Sequence, residues 1–228
     1  MIRVARFIVI GAAFALLTPT IGNAQDRLWH VNLGGGPTFN GGDIGERFGT
    51  GWGPAIGVTV DTPGGRVGFQ FEYAYRWFDI KDDADFFGAT RFSANHSFHQ
   101  LAFNVVGNLA RPGSAVRPYI VAGPGAYNRT VEITEYVGSG VVCDPYWYVC
   151  GTYPITDVVG SRSSWDFGFN VGGGVGFGIG ESSEFYIEMR YHYVAGPEFQ
   201  PPTATPLEGS GSGNANGNYY PLTFGFRF

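Results

Sequence analysis

Histidine is the residue type in this 228-residue chain best suited to acid–base or metal chemistry, and there are four of them. His192 lies in RYHYVAG, Arg190 to Gly196. As a catalytic base it would need a hydroxyl or thiol to activate. Two positions on, where a strand would place a side chain on the same face, the residue is Val194. His192 therefore reads as a polar residue inside a fold. His96 and His99, in ANHSFHQ, are three apart at the start of an alternating segment, which turns them to opposite faces and leaves no shared metal site. His30 stands alone. Asp82, Asp83 and Asp85, in DIKDDADFF, read as a solvated acidic loop rather than a cation site. The runs GGGP and GGGVGFG are followed by no helix, so they are not phosphate cradles. No catalytic residue, metal or cofactor is expected, and the chain is not expected to be an enzyme.

The elements that carry these residues are strands. The chain has 37 Gly, 20 Phe and 13 Tyr beside 14% charged residues, a load that favours strands and turns over helices. A net charge of -5 without clusters excludes a basic nucleic-acid footprint. In RVGFQFEYAYRWF, Val67, Phe69, Phe71, Tyr73, Tyr75 and Trp77 share one face, while Gly68, Gln70, Glu72, Ala74 and Arg76 share the other. That length suits a β-strand crossing a bilayer at a tilt. The same template recurs over 165–179, 185–193 and 100–109, more weakly over 28–39, 52–61 and 118–127, and finally over 219–228. The pattern predicts an all-β fold, an eight-stranded antiparallel up-and-down transmembrane β-barrel.

Short turns at 62–65, 111–116 and 180–184 alternate with long polar loops at 40–50, 79–95, 128–164 and 195–218. Such asymmetry distinguishes the two ends of a membrane barrel, short turns and both termini in the periplasm and long loops outside. The segment RTVEITEY, inside the third loop, also alternates, so the fifth and sixth strands are expected to extend beyond the membrane as a hairpin. Trp52, Trp77, Tyr127, Trp165, Tyr193 and Tyr220 are expected to form the outer aromatic girdle, with Trp29, Tyr119 and Phe228 forming the inner one. A soluble sandwich would also alternate, but gives aromatics no reason to collect at one end.

An eight-stranded closure leaves room only for side chains. Gly168, Gly172, Gly174, Gly176 and Gly178 would make space for larger inward residues, and the inward charges Glu72, Arg76, Glu188, Arg190 and Arg227 are expected to form one interior network, because unpaired burial is costly. The first residues add a destination. Arg3 and Arg6, the apolar run from Phe7 to Leu17 and the small Ala24 read as a cleavable signal peptide over 1–24, with the barrel filling 25–228. In an exported chain Cys143 and Cys150, in CDPYWYVC, are expected to form a disulfide, and so short a loop would contribute roughly 2–3 kcal/mol.

The signal peptide, the alternating strands, NVGGGVGFGIGESSEFYIEMRYHY and the terminal Phe228 together resemble the outer-membrane β-barrel domain family, the small eight-stranded proteins around the outer-membrane protein A transmembrane domain. The resemblance covers 25–228 and implies the outer membrane of a Gram-negative-type bacterium. It implies lipid and lipopolysaccharide as surroundings, and a last strand, Tyr220, Leu222, Phe224, Phe226 and Phe228, read by the barrel assembly machinery. No peptidoglycan-binding segment is expected after that strand. RYHYVAG also faintly resembles lipid A deacylase barrels, whose nucleophilic serine position is Val194 here. The expected role is structural or one of surface interaction, the long loops meeting an extracellular ligand or surface; a small channel and a lipid-modifying enzyme are the alternatives. Deleting Phe228 should lower the yield of membrane-assembled protein more than it lowers the unfolding midpoint of barrel already folded, as fractionation and thermal gel-shift would show; equal losses would leave Phe228 with packing alone.

Overall fold

A computed structural model describes residues 28–41, 45, 48–79, 92–111, 114–143, 150–179, 183–196, 198–199, 213–214 and 216–228. Eight long strands form the wall: β1 (Trp29–Gly41), β2 (Gly51–Asp61), β3 (Val67–Asp79), β4 (Phe92–Asn108), β5 (Val116–Cys143), β6 (Cys150–Ile179), β7 (Ser183–Ala195) and β10 (Gly217–Arg227). Two short pieces, β8 (Glu198–Phe199) and β9 (Gly213–Asn214), pair only with each other. Each long strand is antiparallel to its sequence neighbour, and β1 pairs with β10 to close the barrel. At the seam Asn32 stands opposite Arg227 and Phe39 opposite Tyr220. Phe228 itself exchanges backbone hydrogen bonds with Val31 at 3.0 and 3.1 Å. The last strand, with Leu222, Phe224, Phe226 and Phe228 outward, is thus half of the closing joint.

The faces divide as the alternation dictates. Outward lie Ile56, Val58 and Val60 on β2, Phe69 and Phe71 on β3, Phe103 and Val105 on β4, Phe224 and Phe226 on β10, and Phe228 just after it, all exposed. Inward lie Gln70, Glu72, Arg76, Asn104, Asn170, Glu188, Arg190 and Thr223, all buried. From Val67 to Trp77 the strand rises about 33 Å, or about 25 Å of height at the usual tilt, which matches the apolar band of a membrane barrel. An exposed apolar belt wrapped round a polar, buried interior is the inverse of a soluble protein, and it makes this a membrane-spanning β-barrel.

The turn at Thr62–Arg66 uses Gly64 and Gly65 at φ of 101° and 64°, with Gly65 N–H donating to the Thr62 carbonyl at 2.8 Å. This turn, the β4–β5 and β6–β7 connections, the start of β1 and the end of β10 share one end of the barrel. At the other end, the expected loop 128–164 is strand over 128–143 and 150–164, and the last four residues of the expected loop 79–95 belong to a strand. β4 already begins at Phe92, and β5 and β6, at 28 and 30 residues, stay paired from Val116↔Phe177 to Cys143↔Cys150. The expected hairpin is therefore present, and its base is braced on one side by β4 residues 92–95 against Glu132–Glu135. Register shifts at Ile133/Thr134 and Tyr136/Gly138 mark bulges, with Gly138 at φ 152°.

Two girdle assignments are corrected. Trp52, Trp77 and Trp165 are exposed on the outer wall, and Tyr193 and Tyr220 lie half-buried on the same face. Tyr127 is fully buried inside the lumen, and Tyr119 is buried there too, while Trp29 and Phe228 are exposed. On β5 the outward residues are Val116, Pro118, Ile120, Ala122, Pro124 and Ala126, apolar but without an aromatic, while both tyrosines fall on the inner face.

The glycine run of β6 is where bulk and space are matched most tightly. Gly172 stands opposite Arg190 and Gly174 opposite Glu188. A Cβ on Gly174 would lie 2.6 Å from the Tyr119 ring and 2.7 Å from the Ile187 carbonyl. Gly174→Leu is expected to destabilise the barrel by about 2 kcal/mol or to block its assembly, read as a lower thermal gel-shift midpoint, whereas the outward Val175→Leu should be nearly neutral.

Candidate functional site

Of the residues marked as chemical, His192, His96 and the five charges Glu72, Arg76, Glu188, Arg190 and Arg227 face the lumen. Every second residue of β7 points inward, so Glu184, Tyr186, Glu188, Arg190, His192 and Val194 form one buried column. Arg190 is its hub. Its terminal nitrogens donate to Glu72 Oε1 and Oε2 at 3.0 and 2.9 Å, a two-pronged contact across the barrel from β7 to β3. It also donates to Gln70 Oε1 at 3.0 Å, and its Nε lies 2.6 Å from Glu188 Oε1. Around this hub runs an amide chain: Gln100 donates to Glu72 at 3.3 Å, Asn104 to Gln70 at 3.1 Å, and Asn170 to Asn104 at 2.8 Å.

A second group fills the end that holds the termini. Arg227 donates to Asn32 Oδ1 at 2.9 Å and to Glu184 Oε1 at 3.0 Å, and Glu184 also meets Arg117. The Arg227 guanidinium lies over the rings of Tyr119 and Tyr186, at 5.2 and 5.7 Å. Arg76, the fifth residue of the expected network, joins no carboxylate directly; it donates to the carbonyls of Gly53 and Pro54 at 2.6 and 3.2 Å. The five sequence-marked charges are thus distributed over three arrangements. Among the described residues the buried acids Glu72, Asp166, Glu184 and Glu188 are matched by the buried bases Arg76, Arg129, Arg190 and Arg227.

The opposite end is aromatic. Phe78, Phe98, Tyr127, Val194 and Tyr219 pack together across the lumen, with Phe48, from the β1–β2 connection, against them. Phe98 and Tyr219 are 4.9 Å apart by ring centroid. The Tyr127 hydroxyl is 2.8 Å from His192 Nδ1, and Arg129 Nε donates to Asp166 Oδ2 at 2.7 Å above them. His192 is 2% exposed beside Val194, with a tyrosine hydroxyl as its polar neighbour. His96 faces the lumen, its Nδ1 3.2 Å from the Thr130 carbonyl, while His99 faces outward, 2.7 Å from the Tyr73 hydroxyl. His30 pairs with Asp61 at 3.2 Å. Asp82, Asp83 and Asp85 lie outside the described residues, as do the signal-peptide residues 1–24. Cys143 and Cys150 are opposite each other in register.

Sequence reasoning missed Glu184, Arg117, Arg129, Asp166 and the amides. Glu184 falls at the end of the expected turn 180–184, yet counting in twos from Glu188 puts it on the inward face. The same count from Arg129 finds Tyr127.

No family description and no curated protein matches the chain in sequence. Among solved structures, a major outer membrane protein from Thermus thermophilus is similar over 89% of this chain and 99% of its own, at 13% identity and a TM-score of 0.52. The fold is that of the small outer-membrane barrels. Neisserial surface protein A is similar over 88% of this chain and 96% of its own, at 14% identity and a TM-score of 0.46. The attachment invasion locus protein of Yersinia pestis is similar over 88% and 97%, at 12% identity and a TM-score of 0.45.

Removing one partner of a buried ion pair strands the other. Arg190→Met leaves both Glu72 and Glu188 uncompensated and is expected to cost about 4 kcal/mol in urea unfolding from bilayers. Glu188→Ala should lower the melting temperature less, because Arg190 keeps its two-pronged hold on Glu72; an unchanged melting temperature would remove Glu188 from the network. Combining Arg190→Met with Glu72→Gln and Glu188→Gln should recover part of the loss.

Proposed function

We propose that the chain is an integral outer-membrane protein with a structural or surface-interaction role, and that the β5–β6 hairpin is the part that meets an extracellular ligand or surface. The observation that carries this reading is the height of that hairpin. Trp165, opposite Asn128, stands at the level of the outer girdle, and pairing continues from there to Cys143↔Cys150. Beyond the last pairing with β4, Phe92↔Glu135, eight further residues of β5, 136–143, stay paired with β6 and amount to about 25 Å of two-stranded ribbon. A barrel needs no such projection to close or to span, so the projection is selected for what it touches.

Export by a signal peptide over 1–24, assembly through the closing strand, and a periplasmic position for both termini belong to this reading. So does the Cys143–Cys150 disulfide: directly opposed residues of an antiparallel pair have Cα atoms about 4.5–5.5 Å apart, inside the range a disulfide spans. Non-enzymatic action is supported by His192, which is buried beside Val194 and a tyrosine hydroxyl rather than beside a nucleophile. A channel role is disfavoured by the aromatic packing and charge pairs that occupy the lumen.

Deleting residues 134–158 should leave barrel yield and heat-modifiable migration unchanged while abolishing attachment of whole cells to the surfaces the intact protein binds. Equal attachment with and without the hairpin would overturn the reading. Reconstituted protein should pass no steady current across a planar bilayer, and stable unitary conductance would favour the channel.

A further inference from the structure

At the extracellular edge of the belt, the outer wall carries a recess of about 320 Å³ across β3, β4 and β5. Tyr75 and Trp77 form its aromatic side, Asn95 and Ser97 its middle and Glu132 its far side, and the buried Phe78 and His96 close its inner edge. The register accounts for this grouping, since Trp77 stands opposite Ser97 and Asn95 opposite Glu132. We infer that this recess is a binding site for a quaternary alkylammonium headgroup, carried by an amphiphile whose chain lies in the outer leaflet.

Three features select that chemistry. The rings are preorganised: Tyr75 is 5.9 Å from Trp77 and 4.8 Å from His99, and His99 is itself tied to the Tyr73 hydroxyl at 2.7 Å. Such faces attract cations, alkylated ammonium most of all, because its methyl groups meet the rings without losing strong hydration. The charge is complementary: Glu132 is exposed, and no described arginine or lysine stands with it, Arg162 being opposite Val131 and hence on the other face. His96, which also lines the recess, has its Nδ1 within reach of the Thr130 carbonyl and its Nε2 3.4 Å from the Tyr219 hydroxyl, so its polar atoms are engaged inside the barrel.

The location supplies the third feature. Trp77 is 45% exposed at the level where lipid meets water, so a headgroup there can sit in the recess while its chain runs down past Tyr73 and Leu101 on the lipid face. An anionic headgroup would meet Glu132 with the wrong sign. The volume suits a small ligand group, near the lower end of pockets that hold one.

The test uses folded, fluorotryptophan-labelled protein in neutral detergent micelles, with choline as the charged probe and dimethylbutanol, its uncharged carbon isostere, as the control. Fluorine NMR should show a saturable shift of the Trp77 resonance with choline, assigned by its loss in Trp77→Phe, while the other tryptophan resonances stay in place. Glu132→Gln, which lies outside the barrel interior and should keep heat-modifiable migration, is expected to weaken binding about tenfold. An equal response to dimethylbutanol would reduce the recess to an unselective apolar groove. No saturable shift, or unchanged affinity in Glu132→Gln, would overturn the assignment. Either outcome leaves attachment through the hairpin untouched.

Discussion

Hydrocarbon offers no partner to a peptide group, and the whole architecture answers that one fact. A strand inside a bilayer keeps its backbone satisfied only by strands on both sides, so the sheet must return to its own first strand. The return is the β1–β10 seam, held from Asn32↔Arg227 to Gly41↔Asn218 and extended by Val31 and Phe228. Once the ring is closed, the side chains are free to obey two different solvents. Outward they match lipid, and inward they must satisfy one another in a space eight strands wide.

That inner space explains residues that would be errors in a soluble core. Buried guanidiniums and carboxylates seldom add net stability over apolar packing, but they are strict about arrangement. Arg190 reaches Glu72 across the lumen only if β7 and β3 hold their places in the ring. A slip of one residue would turn Arg190 to the lipid, where no group could receive it. Polar contacts here act as a register device, while the apolar belt, indifferent to which valine meets which acyl chain, supplies the bulk of the membrane affinity. The glycine run of β6 belongs to the same arrangement, since bulky inward groups from β5 and β7 meet over it.

Fold class was legible because period-two alternation over ten residues has one physical reading, and β3, β7 and the end of β10 state it openly. Their boundaries in the structure fall within two residues of the alternating segments read from sequence. β5 is less legible: both of its faces carry apolar residues and its aromatics, Tyr119 and Tyr127, lie inward, so aromatic position alone points to the wrong face. The interior charges were visible one by one, but their partners were not, because pairing depends on how eight strands stagger and single-strand periodicity carries no stagger. Hence Arg76 was grouped with carboxylates when its direct partners are the carbonyls of Gly53 and Pro54. The recess at Trp77 and Glu132 is likewise invisible in the sequence, because the stagger of three consecutive strands sets which of their residues meet.

The hairpin also has a mechanical meaning. It is not hung on the barrel by a loop: β5 and β6 continue without interruption from the projecting ribbon into the membrane wall. A load applied at its tip, along its axis, would be delivered to the wall as shear, spread over the hydrogen bonds that join β5 to β4 and β6 to β7. Bonds loaded together resist far better than bonds opened in turn. A cell held by this ribbon would be held by the barrel's full height, and a sideways load would instead bend the ribbon where the bracing by β4 ends at Phe92↔Glu135.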